Sequence, residues 1–103
     1  MSELAKAVDT IHREFRERFG LEVVIYLNVF KVPQIEKADS VAKIVATELE
    51  LCRPEHFSND KDLAWVRAER KNVEFTIFYP YEEKERVFRQ ENEKAACEKS
   101  QTA

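Results

Sequence analysis

A chain of 103 residues, of which 44% are hydrophobic and 36% charged, is long enough for one domain and too short for two. The formal net charge is −3. Because acidic and basic residues are interleaved, the composition argues against a dedicated nucleic-acid-binding protein and against a DNA mimic. No apolar run approaches the roughly 18 residues of a membrane-spanning helix, and the first residues do not resemble a secretion signal, so we expect a cytoplasmic protein.

The first two predicted elements are a helix and a strand. Apolar residues recur at helical spacing over residues 2–19, and Gly20, the only glycine, suits the left-handed conformation that ends many helices. Over residues 21–30 the period changes to that of a strand, because every second residue is apolar. The other face of this strand is mixed and carries Tyr26 and Phe30.

A second helix and a hairpin follow. Helical spacing predicts a helix over residues 37–52, which ends before Pro54. The polar stretch 54–62 is predicted to be a loop. Strands over residues 63–70 and 73–79 are predicted to form an antiparallel hairpin, because a two-residue turn at Lys71 and Asn72 gives both faces a coherent pattern.

The turn sets the register of this hairpin. On the more apolar face it pairs Arg70 with Val73, Ala68 with Phe75, Val66 with Ile77 and Ala64 with Tyr79. On the other face it pairs Trp65 with Phe78, Arg67 with Thr76 and Glu69 with Glu74.

The remaining chain is rich in charge. Glutamate, lysine and arginine at i,i+4 spacing favour a short helix from residue 81 to about Lys94, followed by a disordered end. We therefore predict one globular α+β domain over residues 1–80 and a charged C-terminal helix and tail over 81–103. The order helix, strand, helix, strand, strand, helix predicts a three-stranded mixed sheet, with a parallel crossover from the first strand to the second and two helices on one face.

The second face of the predicted sheet is the candidate site. It collects aromatic side chains around one arginine, namely Tyr26, Phe30, Trp65, Phe78 and Arg67. Aromatic residues and arginine are concentrated at the centres of protein interfaces, so this face predicts contact with a protein partner or with a second copy in a homodimer. The alternative is that the C-terminal helix covers this face through Tyr81, Val87 and Phe88, and the charged flank of the first helix then becomes the candidate contact surface.

Two other functions remain open. Arg67, Arg70 and Lys71, with aromatic rings nearby, could bind single-stranded nucleic acid, although acidic residues lie in the same cluster. Cys52 and His56 have a spacing that could support a thiol or metal site.

Cys52 and His56 supply too few ligands for structural zinc, which takes four. The other cysteine, Cys97, lies far along the chain, so we expect reduced thiols. One glycine excludes a glycine-rich phosphate loop. We therefore expect no cofactor, no metal and no enzymatic activity.

In size, mixed architecture, acidic pI and lack of catalytic residues, the chain is similar to small accessory proteins of bacteria and their phages, including inhibitors of host defence such as anti-CRISPR proteins. The similarity is one of general character. It implies a protein that acts by binding another protein, and no functional residue follows from it.

Overall fold

The structure, a computed structural model, describes residues 2–59 and 62–87. Helices α1 and α2 span Glu3–Phe19 and Ile35–Glu48, and strands β1 to β4 span Ile25–Val29, Glu55–Ser58, Leu63–Arg70 and Val73–Pro80. A third helix, α3, occupies residues 81–87. The described residues therefore form an α+β fold with three helices and a four-stranded mixed sheet.

The first helix agrees with the sequence prediction because both of its ends are capped. The Ser2 hydroxyl accepts a hydrogen bond from the Ala5 backbone N–H at 3.1 Å. Gly20 adopts a φ of 66°, and its N–H donates to the Arg16 carbonyl at 3.0 Å.

The apolar stripe of α1 is buried only in the first half of the helix. Val8 is buried in the core, whereas Ile11, Phe15 and Phe19 are exposed. The second half of the apolar stripe therefore lies outside the main core.

The sheet has one strand more than predicted, in the order β1-β4-β3-β2. The additional strand, β2, lies within the stretch 54–62 that the sequence predicts as a loop, so that prediction was wrong. Its four residues pair antiparallel with β3, with Phe57 opposite Trp65. A segment this short shows no clear alternation, and pairing with β3 fixes its conformation.

The position of β1 also differs from the prediction. It runs parallel to β4 and not beside β3. Because β2 occupies the free edge of β3, only the edge of β4 remains for β1. Ile25 lies opposite Val73, where β4 begins, so residues 21–24 have no strand beside them and β1 is shorter than predicted.

The second helix includes Ile35 and Glu36, just before the predicted residues 37–52, and ends earlier than predicted. The Ile35 N–H donates to the Glu83 side chain of α3 at 3.3 Å, which supplies an N-terminal acceptor from elsewhere in the chain. At the other end, Glu50 has a φ of 56°, so the chain has left the helical conformation before Cys52.

The predicted hairpin is confirmed in every pair of its register. The face that carries Val66 and Ile77 packs against α2 and forms the core. No helix within residues 2–59 and 62–87 combines the length and apolar character needed to cross a bilayer.

The described part of α3 lies on the same side of the sheet as α2. The Lys84 ammonium donates to the Ser58 hydroxyl at 3.3 Å, Arg86 pairs with Glu36 of α2, and Val87 packs against the core. Residues 81–87 therefore do not cover the second face. Phe88, the predicted continuation to Lys94 and the predicted disordered end lie outside the described residues.

Candidate functional site

Four aromatic rings form a continuous row across the second face of the sheet. The ring centroids are 6.1 Å apart between Phe57 and Trp65, 6.1 Å between Trp65 and Phe78, and 5.0 Å between Phe78 and Phe30. The rings of Phe78 and Phe30 are stacked, with planes 3° apart. We call these four residues the aromatic ribbon.

Strand register places the ribbon on one face. Trp65 lies opposite Phe57 of β2 on one side and opposite Phe78 of β4 on the other. Phe30 directly follows β1, so the row extends across all four strands. Since alternate residues of a strand point to opposite faces, the register that buries Val66 and Ile77 directs the ribbon away from the core.

The ribbon is open at the β1 end. Tyr26 lies on the same face, beside Glu74 in the register, and is 62% exposed. Phe30 is 64% exposed, whereas Trp65 and Phe78 are half-buried by their neighbours. Tyr26 and Phe30 are the most exposed of these rings, so a partner can reach them with the least rearrangement.

This face carries charges of both signs, and its acidic residues outnumber its basic ones. Arg67 lies over the Phe57 ring at 5.7 Å, and its Nε is 3.2 Å from the Glu74 carboxylate. Glu55 and Glu69 occupy the same face, since Glu55 is opposite Arg67 and Glu69 is opposite Glu74. The only arginine that the described strands place on this face is thus paired with a carboxylate.

The five residues predicted as the binding site, Tyr26, Phe30, Trp65, Arg67 and Phe78, all lie on this face. Sequence reasoning missed Phe57, because the segment that contains it was predicted to be a loop. The signal available was one aromatic residue within a polar stretch, which does not identify a strand.

The proposed basic residues of a nucleic-acid site are not brought together. Arg70 faces the core side, where its Nε donates to the Leu49 carbonyl at 2.9 Å. Lys71 lies in the turn between β3 and β4. Arg67 is on the opposite face and pairs with Glu74.

Cys52 and His56 likewise have separate partners. The Cys52 N–H donates to the Glu69 carbonyl at 2.9 Å, and its sulfur accepts from the Glu69 N–H at 3.3 Å. His56 contacts Asp39 and Tyr79 instead. Across residues 2–59 and 62–87, no group of three or more His, Cys, Asp or Glu side chains is arranged to hold a metal ion.

A chain of polar contacts on the core side joins α2, β2 and β4. Lys43 lies 2.8 Å from Asp39, Asp39 is 2.9 Å from His56 Nε2, and His56 Nδ1 is 2.7 Å from the Tyr79 hydroxyl. An ionised Asp39 can only accept, so Nε2 donates to it, and when the imidazole is neutral Nδ1 accepts from Tyr79. We call these four residues the His56 relay.

The relay changes the acid–base behaviour of two members. Burial, with a smaller contribution from the Asp39 charge, raises the pKa of Tyr79 to about 12. Burial also acts to raise the pKa of Asp39, but hydrogen bonds from Lys43 and His56 outweigh it and hold that pKa below its ordinary value. Asp39 is therefore ionised and Tyr79 neutral at physiological pH.

A cavity of about 590 Å³ lies beside the relay, between α2, β2 and α3. His56 and Asp39 form part of its wall, together with Ile35, Ser58 and Lys84. Both imidazole nitrogens already have protein partners.

Comparison with protein-family models, with curated proteins and with solved structures found no match to this chain.

Proposed function

We propose that this chain is a non-enzymatic protein-binding module whose contact surface is the aromatic ribbon together with Tyr26. The observation that carries the proposal is the continuous row of rings across all four strands, on a face that none of the helices in residues 2–59 and 62–87 covers. Protein interfaces obtain most of their binding energy from such clustered aromatic anchors. A small accessory or inhibitor-type protein acts through contacts of this kind.

The surroundings of the ribbon support a protein partner. Arg67 is held over Phe57 and by Glu74, so it is pre-organised as an interface residue. Glu55 and Glu69 leave the rim acidic. The matching surface is therefore apolar at its centre, with a neutral or basic rim.

A site-specific photo-crosslinker tests this proposal, because it captures a bound protein of any identity. A benzophenone amino acid at Phe30, which is 64% exposed, is expected to give one discrete protein adduct on illumination in cells that produce the protein. The matched control places the same amino acid at Ile44 of α2, which is 56% exposed on another surface. Mass spectrometry of the adduct identifies the partner, including a second copy of the chain.

A second substitution shows whether the adduct depends on the ribbon surface. Tyr26→Ser is expected to reduce the Phe30 adduct at least tenfold, because aromatic anchors contribute 2 kcal/mol or more, as an order of magnitude. Circular dichroism should be unchanged, since the Tyr26 side chain is largely exposed. Equal adducts at Phe30 and Ile44, or none at Phe30, would contradict the proposal.

The nucleic-acid alternative predicts a different result. Exposed rings can stack on bases, but binding to single strands also requires free positive charge. We expect no change in the fluorescence anisotropy of a labelled mixed-sequence 20-nucleotide strand at low salt. A Glu55→Lys, Glu69→Lys variant is the matched control, because it adds positive charge beside the same rings. Wild-type binding that weakens steeply with added salt would favour the nucleic-acid function instead.

A further inference from the structure

The outer edge of β1 is an open strand edge. β1 is the last strand of the sheet on its side. The Ile25 N–H donates to the Asn72 carbonyl at 2.9 Å, so the backbone groups of Ile25 point towards β4. Because these groups alternate along a strand, those of Tyr26 and Asn28 point outward, away from β4.

This edge lacks the features that prevent strand pairing. Natural proteins protect edge strands with proline, charged side chains, bulges or covering segments. The five residues Ile25–Val29 contain no proline and no charge. By contrast, the opposite edge strand β2 has four residues, follows Pro54, and is held by the Lys84 contact to Ser58.

The charges that flank β1 favour a second copy of the chain in antiparallel orientation. Glu22 precedes the strand and Lys31 follows it, and neither forms an ion pair among the residues that the structure describes. Antiparallel pairing places the acidic flank of each β1 at the same end as the basic flank of the other. Parallel pairing would place like charges together at both ends.

One register satisfies these constraints and has two-fold symmetry. If the axis passes at Leu27, Tyr26 of each copy lies opposite Asn28 of the other, and their outward N–H and C=O groups form hydrogen bonds. Val24, which is exposed, then lies opposite Phe30. Val24 has no strand partner within the described residues and gains one in this register.

From this geometry we infer that two copies of the chain pair through antiparallel β1 strands and form one eight-stranded sheet. The inference rests on the proposed function, because the paired edge carries Tyr26 and Phe30 of the proposed contact surface. The two aromatic ribbons then meet at their β1 ends, where Tyr26 and Phe30 of both copies are adjacent. Such an interface is closed by its two-fold symmetry, so it forms dimers and not filaments.

Charge exchange tests this pairing. Sedimentation velocity of the full chain over a range of concentrations gives the dimer dissociation constant. Glu22→Lys and Lys31→Glu are each expected to weaken the dimer roughly tenfold, since each places like charges at both ends of the paired strands. The double variant E22K/K31E should return to near the wild-type constant, because it restores opposite charges across the axis.

A proline provides the structural test. Asn28→Pro removes an N–H that points away from β4, so the monomer should keep its circular dichroism and its unfolding midpoint while the dimer is lost. Ile44→Ser, on the exposed side of α2, is the control and should leave the dimer intact.

Several outcomes would overturn the inference. These are a wild-type chain that stays monomeric at all concentrations, a double charge exchange that fails to restore association, and a dimer that survives Asn28→Pro. If the dimer survives Asn28→Pro but is lost in Phe30→Ser, the contact lies on the ribbon alone and the proposed function stands. If it survives Asn28→Pro but is lost in Phe15→Ser, the contact lies on α1. The proposed function fails separately, by the absence of a Phe30 adduct.

Discussion

Tyr79→Phe is expected to protect the fold against alkali. Tyr79 is 1% exposed, and burial raises its pKa to about 12. An unfolded tyrosine ionises near pH 10, so between pH 10 and 12 the unfolded state loses a proton that the folded state retains. The stabilisation that Tyr79 provides is therefore complete below pH 10 and is lost as pH rises towards 12.

The size of this effect follows from the difference in pKa. A difference of about two units corresponds to about 2–3 kcal/mol in the free energy of unfolding. At neutral pH the phenylalanine variant should be about 1 kcal/mol less stable than wild type, because His56 Nδ1 loses its donor. Towards pH 12 the order should reverse.

Urea denaturation at a series of pH values measures both free energies. Tyr26→Phe is the matched control, because the Tyr26 ring is largely exposed and its surroundings change little on unfolding. Its free-energy difference from wild type should stay constant over the same range. If the wild-type and Tyr79→Phe curves also stay parallel above pH 10, the hydroxyl of Tyr79 is not buried as described.

The hairpin was predictable because two features of its sequence, the length of the turn and the pattern of apolar residues, agree on one register. A two-residue turn fixes which residues face each other, and the resulting register separates Val66 and Ile77 from Trp65 and Phe78. Shifting the register by one residue would exchange these faces. The central residues of the candidate interface, Trp65, Arg67 and Phe78, follow directly from this register.

The parts that could not be predicted depend on contacts between distant segments. β2 is too short to show a period, and its presence determines which edge remains for β1. The His56 relay joins residues 39, 56 and 79, and their meeting requires the position of β2 to be known first. No local pattern in the sequence identifies such a contact.

His56→Ala is expected to be one of the most destabilising single substitutions outside the apolar core. It leaves the buried Tyr79 hydroxyl without its acceptor and removes one donor from Asp39. An unsatisfied buried polar group costs about 1–3 kcal/mol, so we expect a total loss of about 2–4 kcal/mol in the free energy of unfolding. Thermal or urea denaturation at pH 7 measures it.

A double-mutant cycle separates the relay from a general packing effect. In the His56→Ala background the Tyr79 hydroxyl has already lost its partner, so Tyr79→Phe should cost less there than in wild type, or should restore stability. We expect a coupling energy of about 1–2 kcal/mol, as for residues in one hydrogen-bond network. His12→Ala is the control. Among the hydrogen bonds of the described residues, the His12 ring makes one, from Nε2 to the Asn72 carbonyl at 3.1 Å. Losing that hydrogen bond should cost under about 1 kcal/mol in the free energy of unfolding. Additive effects of His56→Ala and Tyr79→Phe would mean that the two side chains stabilise the fold independently. The position of β2 would then depend on its ladder with β3 and not on the relay.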